Sequence, residues 1–187
     1  MLIIFDWDGT LCDSTGTIVK AMCEAARRQN APVPAESAGL DVIGPRLPTA
    51  IAEIFPSLSA EDRDTLRLGY SSISRELDKT PARLFPGVRE ILQELHDAGH
   101  HLAVATGKSR QGLDRVLRGL DADHYFHGSR CADETQSKPH PQMLHELLDE
   151  FDYDPADSLL IGERELDREM AQAACMARVG GGAGERS

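Results

Sequence analysis

The chain is 187 residues long and carries a formal net charge of −11, with 41% hydrophobic and 27% charged residues. That is an ordinary globular composition with room for one good core and a modest insert, and its excess of acid argues against nucleic acid and anionic membranes as partners. No apolar run approaches the roughly eighteen residues of a membrane span, the start of the chain does not read as a signal peptide, and Cys12, Cys23, Cys131 and Cys175 show neither C-x-x-C nor zinc spacing, so a reducing cytoplasm is the expected compartment.

The first predicted element is Leu2-Ile3-Ile4-Phe5, an apolar run that reads as a strand of a parallel sheet buried on both faces. It runs directly into Asp6-Trp7-Asp8-Gly9. Side chains alternate along a strand, so Asp6 and Asp8 are expected on one side and Trp7 on the other. Two carboxylates at the end of a buried strand are costly unless solvated, hydrogen-bonded or metal-bound. The carboxyl ends of such strands are also where open α/β sheets bind ligands. Taken alone, the same four residues would pass for a simple turn.

Three helices are predicted next. The first runs from Ser14, as N-cap, to about Asn30, with Ile18, Val19, Met22 and Ala25 or Ala26 on one face. The second covers Leu47 to Phe55, and the third opens on a capping box at Ser59-Ala60-Glu61-Asp62 and ends near Lys79. No strand pattern falls between Ser14 and Thr80. Residues 14–80 therefore read as an all-helical insert apart from the sheet, with residues 1–13 and 81–187 forming one discontinuous α/β unit.

Beyond the insert, helices and strands alternate. Pro86 opens a helix with Val88, Ile91, Leu92 and Leu95 as its buried stripe. Leu102-Ala103-Val104-Ala105 is a buried strand ending at Thr106-Gly107-Lys108, and a helix follows from Ser109 to about Leu120. His124-Tyr125-Phe126 reads as a weak strand. A helix carrying Met143, Leu144, Leu147 and Leu148 comes after Lys138-Pro139, then a strand at Leu159-Leu160-Ile161. A last helix to about Cys175 precedes a short strand at Ala177-Arg178-Val179. Such alternation means βαβ units, and right-handed crossovers make the parallel sheet doubly wound.

The order strand, Asp6-x-Asp8-Gly9-Thr10, helix resembles the first motif of the haloacid dehalogenase-like hydrolases. A strand ending in Thr106, the Lys138-Pro139 pair, and the acidic loop Gly162-Glu163-Arg164-Glu165-Leu166-Asp167 resemble the second, third and fourth motifs, in the right order. The runs Val104 to Ser109 and Ser137-Lys138-Pro139-His140-Pro141 look like the phosphoglycolate phosphatase branch, and the helical insert is similar to that family's small cap. The resemblance spans nearly the whole chain.

It implies a Rossmann-like core with an inserted helical cap, and a Mg²⁺-dependent phosphatase that hydrolyses a small phosphomonoester through an aspartyl-phosphate. By resemblance, Asp6 is the nucleophile, Asp8 the general acid and base, and Thr106 and Lys138 hold the transferring phosphoryl group. Thr10, Gly107 and Lys108 are expected to help bind substrate. Arg46, just after Gly44-Pro45, could reach a substrate carboxylate or second phosphate bidentately. The metal ligands implied are Asp6, the backbone carbonyl of Asp8 and Glu163, with Asp167 matching the second acid of the fourth motif. The expected partner is a small phosphorylated metabolite, and the expected state a monomer or weak homodimer. A phosphomutase or dehalogenase of the same fold, or a protein that binds phosphate ligands or a partner with little turnover, are the other readings. The retained Asp8 speaks against a dehalogenase.

Two departures from the family pattern carry expectations of their own. The fourth motif usually reads Gly-Asp-x-x-x-Asp, whereas Glu163 adds a methylene, and the strict octahedral preference of Mg²⁺ then predicts lower activity. The Gly-rich stretch from Gly180 reads as disordered, which leaves one sheet edge short and predicts lower stability or cover by a partner.

Overall fold

The computed structural model describes residues 1–35, 43–77 and 83–180. Among them the chain forms one five-stranded sheet in the order β3-β2-β1-β4-β5, every neighbouring pair parallel. The strands are β1 (Leu2–Phe5), β2 (His101–Thr106), β3 (Gly128–Cys131), β4 (Ser158–Ile161) and β5 (Ala177–Val179). Strand order runs outward from β1 in one direction through β2 and β3, then in the other through β4 and β5. The reversal lies between β1 and β4, the place where a doubly wound sheet leaves a crevice beyond its carboxyl ends.

The run Leu2-Ile3-Ile4-Phe5 is central because both faces of it are apolar. Leu2 and Ile4, with Ala103, Ala105 and Leu160, pack against Met143, Leu144 and Leu147 of α6 (Gln142–Phe151) and Met170 of α7 (Glu165–Ala173). Ile3 and Phe5, with Leu102 and Val104, pack on the other face against Leu92 of α4 (Val88–Asp97) and Leu113, Val116 and Leu117 of α5 (Arg110–Leu120). Trp7 joins this second face, as strand alternation requires. Each such side chain, fully buried, stabilises the fold by roughly 1.5–3 kcal/mol.

The helices of the insert are α1 (Thr15–Arg28), α2 (Leu47–Ile54) and α3 (Ala60–Leu77). Ile18, Met22, Ala25 and Ala26 of α1 meet Ile51 and Phe55 around α2, and Leu66 and Ile73 of α3. This third cluster contains no strand residue. Half of the expected capping box at the start of α3 is present: the Asp62 amide donates to Ser59 Oγ at 3.1 Å, while the Asp62 carboxylate is engaged by that same hydroxyl, at 2.7 Å. The expected end of this helix near Lys79, the boundary at residues 80 and 81, and the Gly-rich run after Gly180 lie outside the described residues. No helix among the described residues is long and apolar enough to cross a membrane.

Three local expectations are corrected. The third strand is Gly128–Cys131, whereas Asp123–Tyr125 forms a 3₁₀ turn. Apolar content misled here, because Tyr125 is buried in the core while β3 lies at the sheet edge, half-buried and polar, with Arg130 tied to Glu146 and Glu150. In α4 the inward stripe is Val88, Leu92 and Leu95, and Ile91 falls beside it, 53% exposed. Ser14 precedes α1 without capping it through its side chain. Its hydroxyl has another partner.

Candidate active site

β1 delivers the first carboxylate. The Asp6 amide still bonds Ile161 O of β4 at 2.8 Å, so Asp6 takes the sheet's direction to its last residue and is only 3% exposed. After it the chain turns sharply. The amides of Leu11 and Cys12 both donate to Trp7 O at 3.0 Å, and Gly9 holds φ at +86°, a conformation that favours glycine.

Lys138, in the loop ahead of α6, sits between two acids. Its Nζ donates to Asp6 Oδ1 and to Asp167 Oδ1, each at 2.6 Å, and all three side chains are within 5% of full burial. Burial is the largest influence on this lysine and works against its charge. The Asp6 and Asp167 carboxylates outweigh it and hold the ammonium above its ordinary pKa. One lysine between two carboxylates leaves a surplus negative charge. Burial, opposed by Lys138 and aided by Asp167, accordingly pushes the Asp6 carboxyl up to about 6. Its other oxygen, Oδ2, accepts from Thr10 Oγ1 at 3.2 Å.

Asp167 is the third residue of α7. Its Oδ2 accepts from the Arg164 amide at 3.2 Å, so both of its oxygens are engaged, one by the helix start and one by Lys138. Gly162 makes room for this. A Cβ there would lie 2.6 Å from Asp167 Cγ.

Asp8 is held differently. Ser14 Oγ donates to Asp8 Oδ1 at 2.6 Å, and Lys108 Nζ lies 3.1 Å from the same oxygen. Burial again works against Lys108, and Asp8 more than any other group raises it above the ordinary lysine value. Composition and spacing marked Ser14 only as a helix start. The signal available was its place six residues after Asp8, on a loop that closes on itself through the Asp8 and Cys12 bridge.

Thr106 ends β2, fully buried, next to β1, and its Oγ1 accepts from the Lys108 amide at 3.1 Å. Gly107 is a close-approach glycine, since a Cβ would stand 2.4 Å from Gly44 O. This brings the loop ahead of α2 onto the end of β2. The Arg46 amide in that loop donates to Ser137 Oγ at 3.0 Å, while the Arg46 side chain lines the same cavity as Asp8 and Lys108.

Glu163 follows β4 and turns toward the first loop: its Oε1 would be 2.5 Å from a Cβ on Gly9. Burial, countered by Arg164 and reinforced by Asp167, keeps its carboxyl above the ordinary value. The four expected metal residues do not converge as a cage of carboxylates. Among the described residues, only the exposed group Asp121, Asp123 and His124 brings three such ligand atoms within 4.8 Å of one another. What the structure offers at β1 is two carboxylates, Asp6 and Glu163, with the space over glycine that admits the longer one. Oxygen ligands few in number and completed by water are what Mg²⁺ takes, so the residues fit that ion.

The family model for "Haloacid dehalogenase-like hydrolase" matches residues 3–180 of this chain. "Probable phosphatase IndB" of Dickeya dadantii is 34% identical over 183 residues, covering 96% of this chain and 80% of that protein. A phosphoglycolate phosphatase of Vibrio vulnificus is 30% identical over 187 residues, covering 96% and 82%. A crystal structure described as that of a predicted phosphoglycolate phosphatase from Haemophilus somnus superposes with a TM-score of 0.86 at 27% identity, over 96% of this chain and 84% of that one.

Proposed function

The chain belongs to the haloacid dehalogenase-like hydrolases, and on that premise we propose that it is a Mg²⁺-dependent phosphatase of a small phosphomonoester that works through an aspartyl-phosphate. One observation carries this reading: a buried Lys138 shared by Asp6 and Asp167, one loop away from a second acid, Asp8, held by Lys108 and Ser14.

Asp6 attacks phosphorus, which splits one difficult displacement into two easier ones. Lys138 lowers the charge that the incoming phosphate meets, and Asp167 keeps that ammonium in place. Asp8 gives its proton to the departing alkoxide and then takes one from the water that hydrolyses the aspartyl ester. Ser14 and Lys108 fix the oxygen of Asp8 that they share, which leaves the other oxygen for that proton. The Thr106 hydroxyl, which accepts from the Lys108 amide and keeps its own proton to donate, holds a phosphoryl oxygen at the carboxyl end of β2. Thr10 steadies Asp6 through its hydroxyl.

A Mg²⁺ ion would be held by Asp6, the Asp8 backbone carbonyl and Glu163, and when bound supplies positive charge against a phosphate dianion. Asp167, bonded to Lys138 and to the Arg164 amide at the start of α7, contributes through that lysine. Residues 14–80 act as the cap over residues 1–13 and 81–187. The third apolar cluster and the Gly107 contact with Gly44 support that division.

The test is p-nitrophenyl phosphate hydrolysis by the parent, Asp6→Asn and Glu163→Gln, with Mg²⁺ and with a chelator. Turnover by the parent that vanishes on chelation and in Asp6→Asn is the expected result. Loss on Glu163→Gln, restored by raised Mg²⁺, assigns Glu163 to the ion. Equal turnover by the parent and Asp6→Asn would sink the reading.

A further inference from the structure

A cavity of about 560 Å³ opens from Asp8 and Lys108 and is roofed by α3 of the insert. Its charge runs against that of the chain. Among the described residues, four arginines and Lys108 line it, against Asp8 and Asp133 as the acids, in a protein of net charge −11. Lys108 is spent on Asp8, and Arg67 reaches Asp64 at 2.8 Å. The side chains of Arg46 and Arg75, by contrast, have no ion pair with any described residue.

α3 turns a particular face to this space. Arg67, Ser71, Ser74 and Arg75 fall three or four residues apart, so they share one side of the helix, while Leu66 and Ile73 are buried among the apolar residues of the insert. The Ser71 hydroxyl is given to Arg67 O at 2.9 Å, but Arg75, the Ser74 hydroxyl and Arg46 of the loop ahead of α2 line this open-sided space, and together they ask for a ligand rich in acceptors and carrying negative charge. The volume falls within the roughly 300–1,000 Å³ of small-molecule sites, and a two-carbon ester would fill little of it.

We infer that the leaving group is a sugar-sized, hydroxylated alcohol bearing a second acidic group, held by Arg46 and Arg75 in the cavity next to Asp8. The assignment of the cleaved end rests on the phosphatase reading above, because Asp8 at the mouth of the cavity is the residue that protonates the alcohol as it leaves. The second acid is a carboxylate or a phosphate, both of which a guanidinium grips with two hydrogen bonds.

Calorimetric binding to Asp6→Asn, in Mg²⁺, tests this without turnover. The probes are 6-phosphogluconate (second acid a carboxylate), fructose 1,6-bisphosphate (second acid a phosphate), glucose 6-phosphate (no second acid) and 2-phosphoglycolate (second acid, two carbons). At least one of the first two is expected to bind about tenfold or more tighter than both of the others. Adding Arg75→Ala removes that margin, and Arg75→Lys, which keeps the charge and loses the fork, keeps part of it. No margin, a margin that survives Arg75→Ala, or no binding of any probe overturns the inference. Turnover of p-nitrophenyl phosphate by the parent is read separately. An inert parent with the margin intact removes the phosphatase reading alone, and an active parent with no margin removes the substrate assignment alone.

Discussion

Lys138 shows how little separates stability from activity at the residue scale. Its ammonium is the one cation bonded to both Asp6 and Asp167 among the described residues, and taking it away strands two carboxylates that are almost fully buried. Breaking a buried ion pair from one side costs about 3–5 kcal/mol. Lys138→Ala is therefore expected to lower the thermal midpoint by several degrees as well as to abolish turnover. Asp6→Asn placed on top of it should recover part of the lost stability and none of the activity, a combination that simple loss of packing does not give. Differential scanning calorimetry on the parent and these two variants decides it. The types and spacing of Asp6, Asp8, Thr106 and Lys138 were legible along the chain, because each stands at or just past the end of an apolar strand run or in the loop ahead of a helix. The Ser14 bond to Asp8 and the need for glycine at 162 were not. Both depend on which side chain stands opposite, and nothing local specifies that.

The elements differ in how plainly they could be read. β1, β2 and β4 are apolar runs, because a central parallel strand is covered on both faces. β3 is an edge strand whose polar side chains announce nothing. Its entry is also where pH acts. The Leu102 amide at the start of β2 donates to His127 Nδ1 at 3.1 Å, which requires that nitrogen to be unprotonated. Burial first, then the neighbouring His101 and His96 rings, hold the His127 pKa below its ordinary 6.5. The unfolded chain thus takes up this proton at a higher pH than the folded chain. The stabilisation is complete above pH 6.5 and fades as the pH falls through the lower, folded value. Glutamine can accept the same amide bond without titrating. His127→Gln is expected to lose less thermal stability than the parent between pH 7.5 and pH 5, and melting curves at a series of pH values will show it. An equal loss in both would place the acid sensitivity elsewhere.

At the scale of the whole molecule, the helical insert and the sheet meet where Gly107 faces the Gly44 carbonyl. A methyl group there would stand 2.4 Å from that oxygen, and backbone cannot swing aside as a side chain can. Gly107→Ala should push the Gly44 loop, and Arg46 with it, off the end of β2. A displacement of about 1 Å in positioning groups can cost on the order of 10²-fold in rate. kcat/KM is accordingly expected to fall by at least tenfold while the fold persists, measured by steady-state kinetics beside a circular dichroism spectrum. What the sequence determined by itself was the layer plan: apolar runs of strand length alternating with helices of 3.6-residue period, and one stretch with the helical period alone. Those are local properties, since burial on two faces, on one face or on neither writes itself into each segment. It also determined which residue types stand at the strand ends. What only the tertiary structure decided was the pairing. Asp6 shares a lysine that lies 132 positions away in the chain, Glu163 leans over Gly9, and the cationic face of α3 looks into the cavity beside Asp8. Contacts at such separations are set by how the layers pack and where strand order reverses, and no periodicity along the chain encodes them.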